Sequence, residues 1–193
     1  VLDQLIQLNP SHQVVPVLQG EIALASNKLE DAKMHFEKSW KDNPSESVGE
    51  KLYKLLGTLK QKSAQNQHLD NWLAAFPENT LAILFRSVRD QQKGDKANAI
   101  TGYKKVLEVA PDNVMALNNL GWLYFEQNNS AALDLLKKAA ELAPNSAAVL
   151  DSYGWVLVKN GKVKDGITYL EKANQLAPDV TEIAEHLAAA KKM

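Results

Sequence analysis

The sequence predicts an all-α protein, an α-solenoid of stacked antiparallel helical hairpins, on three observations. Pro10, Pro44, Pro77, Pro111, Pro144 and Pro178 recur at intervals of 34, 33, 34, 33 and 34 residues, and Pro16 is the one proline outside this register. A period in that range marks a stacked repeat, whose unit buries its apolar face only against its neighbours. Second, the residues ten after each register proline (Gly20, Lys54, Ser87, Gly121, Gly154, Ala188) and twelve before each later one (Ala32, Gln65, Ala99, Ala132, Gly166) are mostly small. Two helices that cross closely need small residues at the crossing. Third, the apolar residues between prolines follow a helical period, with no competing strand alternation.

In order along the chain, residues 1–10 read as the second helix of a truncated unit, entered partway through at Val1. Five units follow, at 13–44, 47–77, 80–111, 114–144 and 147–178, and 181–193 is a first helix without its mate. Each unit holds two amphipathic helices, clearest at 114–127 with 131–142 and at 147–159 with 163–176. Short polar turns such as Gln92-Lys93-Gly94-Asp95 and Lys159-Asn160-Gly161-Lys162 divide them, and the register proline follows each second helix because it cannot continue one. Bulky side chains stand eight before proline, at Leu2, Phe36, Leu69, Tyr103, Leu136 and Leu170. The two 33-residue units are expected to lose their residue at the internal turn, around Ser63 and Asn129. The unit at 47–77 departs from the pattern, with Lys54 and Gln65 where small residues are expected, so looser or shifted packing is predicted there.

This pattern of small, bulky and proline positions resembles the tetratricopeptide (TPR) repeat, whose unit is about 34 residues. The resemblance covers essentially the whole chain and implies a right-handed superhelix. It also implies that the chain is cut at both ends from a longer array. An unmated end exposes apolar surface unless capped, so Leu187 and the alanines around it are a candidate surface for self-association through open repeat ends.

Composition narrows the function. The chain carries 22 basic and 23 acidic residues, a formal charge of −1, and so has no broad electrostatic attraction for nucleic acid or an anionic membrane. It has no cysteine, which excludes a thiolate nucleophile, a disulfide framework and a cysteine metal site. No apolar run approaches the roughly 20 residues that span a bilayer, and the first eight residues carry neither a basic leader nor a cleavage pattern. His12, His35, His68 and His186 fall in different units without metal-ligand spacing and read as surface or packing residues. No phosphate loop, nucleophile elbow or dinucleotide fingerprint is present. Pairs such as Glu30/Asp31 and Glu182/Glu185 read as helix-terminus charges. No enzyme activity, cofactor, metal, nucleic-acid partner or membrane contact is expected of this chain.

What remains is the concave face, where repeat arrays present an extended binding surface. The resemblance implies that the first helix of each unit lines it. Carried over by phase, the inner positions are Asn118, Trp122, Phe125 and Glu126 in one unit and Asp151, Trp155, Val158 and Lys159 in the next. Trp122 and Trp155 are then neighbours on one wall, and two readings of them stand open: they contact a ligand, or they fill space between adjacent units. Trp40 and Trp72, on second helices, read as packing residues. The equivalent earlier positions, Glu21, Lys51, Leu55, Leu84 and Val88, do not reproduce the Lys, Asn and Arg clamp of chaperone-binding members, so capture of acidic C-terminal tails is not expected.

A narrower resemblance rests on three phrases, Asn71-Trp72-Leu73-Ala74-Ala75-Phe76-Pro77, Leu117-Asn118-Asn119-Leu120-Gly121-Trp122-Leu123-Tyr124 and Leu150-Asp151-Ser152-Tyr153-Gly154-Trp155-Val156-Leu157. With His186-Leu187, these look like the C-terminal repeats of the large bacterial TPR lipoproteins of PEP-CTERM/exosortase protein-sorting and exopolysaccharide systems. That resemblance implies a non-catalytic protein-interaction scaffold on the periplasmic side of the envelope, in a parent anchored by a lipidated cysteine, with a protein or peptide partner of unidentified sequence. The alternatives are a carbohydrate-binding module for an exported polysaccharide, a purely structural or oligomerisation segment and, for location, the cytoplasm.

Overall fold

Helix starts follow the register prolines because a capping side chain stands one or two residues on. Ser45 accepts a hydrogen bond from the Val48 amide at 3.3 Å, Asn79 from Ala82 at 2.9 Å and Asn113 from Ala116 at 2.9 Å. Each satisfies an amide that the first helical turn leaves without an intrahelical partner. The computed structural model describes residues 12–193, so the helix expected over 1–10 lies outside the described residues. Among the described residues the chain forms eleven helices and no strand: α1 (Val14–Ala25), α2 (Leu29–Asp42), α3 (Glu46–Thr58), α4 (Lys62–Ala75), α5 (Thr80–Gln92), α6 (Lys96–Val109), α7 (Val114–Glu126), α8 (Ala132–Leu142), α9 (Ala147–Lys159), α10 (Val163–Leu176) and α11 (Thr181–Ala190). None is long and apolar enough to cross a membrane.

The turn inside each hairpin uses one left-handed residue: Asn27 (φ 56°), Lys60 (58°), Gly94 (82°), Asn128 (55°) and Gly161 (80°). This conformation closes a helix C-terminus, and glycine and asparagine adopt it with the least strain. These residues locate the shortened units. Lys60 stands 16 residues after Pro44, where the other four stand 17 after their prolines, so the residue missing from that unit is lost on the first-helix side and not around Ser63. Asn128 keeps the 17-residue spacing from Pro111, and the loss in its unit falls on the other side of the turn, as read at Asn129. There α8 has 11 residues against 14 in α2, α4, α6 and α10.

The chain divides into two compact units, one ending at Phe85 and the other beginning at Arg86. In the first, Gly20 lies against the Phe36 ring, and Phe36 is fully buried with Ala23, Ala32, Val48, Leu52, Leu55 and Leu56. The expected shift at α3 and α4 takes a definite form. Lys54 is exposed and pairs with Glu50, while the crossing falls on Tyr53, whose carbonyl accepts a 3.2 Å hydrogen bond from Gln65 Nε2. Four residues to either side on the same face, Gly49 lies under the Trp72 indole and Gly57 against Gln65, so the missing small pair is replaced by two glycines flanking a polar contact. The same slip buries Leu55 in the core, off the inner face to which its spacing had assigned it.

In the second unit, Gly121 receives Leu136, and Gly154 packs on Leu170 and the Gly166 backbone. A continuous cluster joins Leu117, Leu136, Val149, Leu150, Tyr153, Val156 and Ile183. Tyr103 is buried, donates to Gln91 at 2.7 Å and accepts from Asn119 at 3.1 Å. Burial pushes its phenol up to about 12. Leu187 is partly buried, packed with Trp155 and Ile167 against Val158, Leu170 and Ala190, while Ala184, Ala188 and Ala189 around it are exposed.

Candidate functional site

The residues expected on the inner face lie on α7 and α9 at four-residue spacing, Asn118–Trp122–Glu126 and Asp151–Trp155–Lys159, which places each triplet along one helical face. Gly121 and Gly154 pack the neighbouring face of each helix inward, so both indoles are left half-buried. What joins the two indoles is His186 of α11. Its imidazole stacks on Trp155 at 4.3 Å between centroids and 14° between planes, and stands 6.3 Å from Trp122. Phe125 leans on Trp122 at 5.7 Å.

Electrostatics hold this arrangement. His186 Nδ1 donates to both oxygens of Asp151, at 2.9 and 3.0 Å, and Asp151 is only 7% exposed. A buried carboxylate with a charge-assisted partner is satisfied; alone it would be strongly unfavourable. The Asp151 hydrogen bond raises the imidazole above its ordinary range, with Glu182 and Glu185 adding to it and burial opposing it. The ammonium of Lys159 lies 4.4 Å from the Trp155 ring centroid, a cation–π contact. Glu126 is exposed and pairs with Lys96 of α6 at 2.8 Å. Asn118 Oδ1 is buried without a hydrogen-bond partner, and Asn118 Nδ2 makes only a 3.4 Å contact with Asn119.

The structure therefore brings Trp122, Asp151 and Trp155 to one imidazole, with Phe125 on Trp122 and Lys159 over Trp155, while Asn118 and Glu126 flank Trp122 on α7. Val158 turns inward and is buried. Sequence reasoning missed His186, which reads in isolation as a surface or packing residue. Its signal was phase: it stands eight residues after Pro178, beside the inner-face slot at seven. The other tryptophans pack as their helices suggest, Trp72 fully buried and Trp40 against His68 and Phe76. Among the described residues, no group of three His, Asp or Glu side chains is placed to hold a metal.

Residues 103–132 match the tetratricopeptide repeat family model. A TPR repeat-containing protein of Pseudomonas aeruginosa is 29% identical over 194 residues, covering 96% of this chain and 32% of that protein. The chain thus spans about a third of the length of that relative. A mutant O-GlcNAc transferase of Thermobaculum terrenum is 37% identical over 57% of this chain and 22% of its own, with a TM-score of 0.56. YrrB, a TPR protein with an unusual peptide-binding site, matches 100% of this chain and 98% of its own at 16% identity and a TM-score of 0.72. The fold is that of the TPR proteins, an α-solenoid of helical hairpins.

Proposed function

We propose that this chain is a non-catalytic interaction scaffold that binds a peptide or protein segment along the inner face of α7 and α9. The observation that carries the reading is the convergence of two half-buried indoles and fixed polar groups on one surface. Indoles with hydrogen-bonding neighbours are the commonest binding anchors, and TPR proteins present such faces to partners. A carbohydrate partner is less favoured, because the ring of Trp155 already carries an imidazole and an ammonium that a stacked sugar would have to displace.

The setting we propose is the bacterial envelope, on the periplasmic side of a lipid-anchored parent in a protein-sorting or exopolysaccharide system. It is supported only by the resemblance of the phrases around Trp72, Trp122 and Trp155. Fractionating cells that express the parent checks this, and a cytoplasmic pool would remove it.

For the binding reading, random peptides displayed on phage are selected on the wild-type chain and remeasured on Trp122→Ala and Trp155→Ala. Selected peptides should lose at least tenfold in affinity on Trp122→Ala, about 1.4 kcal/mol, with helical ellipticity unchanged. Equal affinity for the wild type and Trp122→Ala would remove the groove assignment.

A further inference from the structure

The two inner-face triplets are repeats of one another, and they differ in a way that identifies a ligand. In α9 the acceptor and the indole each have a partner supplied by the chain itself: Asp151 takes His186, and Trp155 takes the Lys159 ammonium. In α7 the same phases hold Asn118, Trp122 and Glu126. The acceptor Asn118 Oδ1 has no donor, no cation lies over Trp122 among the described residues, and a carboxylate replaces the lysine. The α7 triplet thus keeps the acceptor, the π face and a negative charge, and the cation it meets, Lys96 of α6, sits on Glu126 and not over the indole.

We propose that Asn118, Trp122 and Glu126 form a receptor for an arginine side chain of a bound peptide, with the guanidinium over the Trp122 indole between the two acceptors. This rests on the groove reading above and names what the groove selects. Each acceptor is four residues from Trp122, about 6 Å along the helix. A planar guanidinium stacks on indole and donates in several directions at once, which a compact ammonium does not. Two contacts yield to admit it. Lys96 holds Glu126 by a half-exposed ion pair of a kind that is readily exchanged. The Asn118 amide is tethered only by the 3.4 Å contact to Asn119, so rotation brings its oxygen to a donor. His186, 6.3 Å from Trp122, is hydrogen-bonded to Asp151 at 2.9 Å, so that carboxylate offsets the imidazole when it is protonated.

The test uses the full chain and three blocked nonapeptides of serine and glycine whose central residue is arginine, citrulline or glutamate, read by the indole N–H resonances in NMR titrations. The arginine peptide should shift the Trp122 resonance saturably and bind at least fivefold more tightly than the citrulline peptide, which has the same shape without the charge. Glu126→Lys, which gives α7 the lysine found in α9, should remove that preference, and Glu126→Gln should reduce it. Asn118→Asp should strengthen arginine binding at least threefold. If arginine and citrulline peptides bind alike at Trp122, the arginine receptor is overturned and the groove reading stands. If the arginine peptide leaves Trp122 unshifted, the receptor is likewise overturned, and the phage-selected peptides decide the groove separately.

Discussion

At His186 the imidazole meets a carboxylate 35 residues earlier in the chain and an indole between them in sequence, and the pair sets a pH dependence of definite sign. Its folded pKa is raised, chiefly by Asp151, above the unfolded value near 6.5. The stabilisation is therefore complete below about pH 6.5 and is lost as pH rises through the folded pKa. A hydrogen bond to a charged group contributes roughly 1.5–3 kcal/mol, and deprotonating the imidazole removes the ionic part of that interaction. Urea unfolding should show wild type exceeding His186→Gln by more at pH 5.5 than at pH 8.5. An advantage that does not change with pH would mean that Asp151 does not hold a charged imidazole. The sequence shows His186 and Asp151 as residues, and the repeat phase places Asp151 on the same helical stripe as Trp155. Their hydrogen bond depends on the rotamers and approach of α11 to α9, which periodicity does not contain.

At the scale of helix pairs, what decides a substitution is which atom a new methyl group meets. A Cβ on Gly166 would lie 2.5 Å from Val158 Cγ2 and 2.6 Å from the Gly154 carbonyl oxygen, and backbone has no room to give. Overpacking of this kind costs about 1–3 kcal/mol, against a helix-propensity gain of about 1 kcal/mol for alanine. Gly166→Ala should destabilise the protein by about 1–2 kcal/mol, the upper part of that difference because backbone is struck, or part the α9–α10 crossing. A Cβ on Gly57 would meet only Gln65 Nε2, at 2.7 Å, the far end of a flexible side chain. The same propensity gain then roughly offsets the loss of the bond from Gln65 to the Tyr53 carbonyl, and Gly57→Ala should fall within about 0.5 kcal/mol of wild type. Thermal or urea midpoints of the two variants check the contrast, and equal losses would contradict it. The small residue at 166 was legible from its place twelve before Pro178. The glycines at 49 and 57 were not, because the one-residue deletion before Lys60 moved the inward face of α3 from position 54 to 53.

At the scale of the molecule, the two compact units carry histidines of opposite response. His68 is buried at 5% exposure, donates from Nε2 to the Gly49 carbonyl at 2.9 Å and meets Trp40 edge-on. Burial holds its pKa below the ordinary value, partly offset by the Gly49 bond. The folded state then prefers the neutral ring, so stability is present above about pH 6.5 and is lost as pH falls through the folded pKa. His186 runs the other way. Hydrogen-exchange protection factors, corrected for intrinsic rates, should rise for α4 and fall for α11 between pH 5.5 and pH 8. A common direction in both helices would contradict a lowered pKa at His68 and a raised one at His186.

The sequence by itself determined the class of this protein. A proline every 33 or 34 residues with small residues in phase permits only hairpins stacked on hairpins, since each unit is too short to bury its apolar face alone. It also determined which residues share a helical stripe, because a period of 3.6 residues places Asn118, Trp122 and Glu126 together whatever the rest of the chain does, although it put Leu55 and Val158 on the wrong side. The tertiary structure alone decided which of these side chains are already satisfied. Whether Trp155 carries a cation, Asp151 a donor and Asn118 neither depends on distances of a few ångströms between residues far apart in sequence. Those distances follow from how neighbouring helices pack side chain against side chain, which a repeat pattern constrains only to the nearest turn.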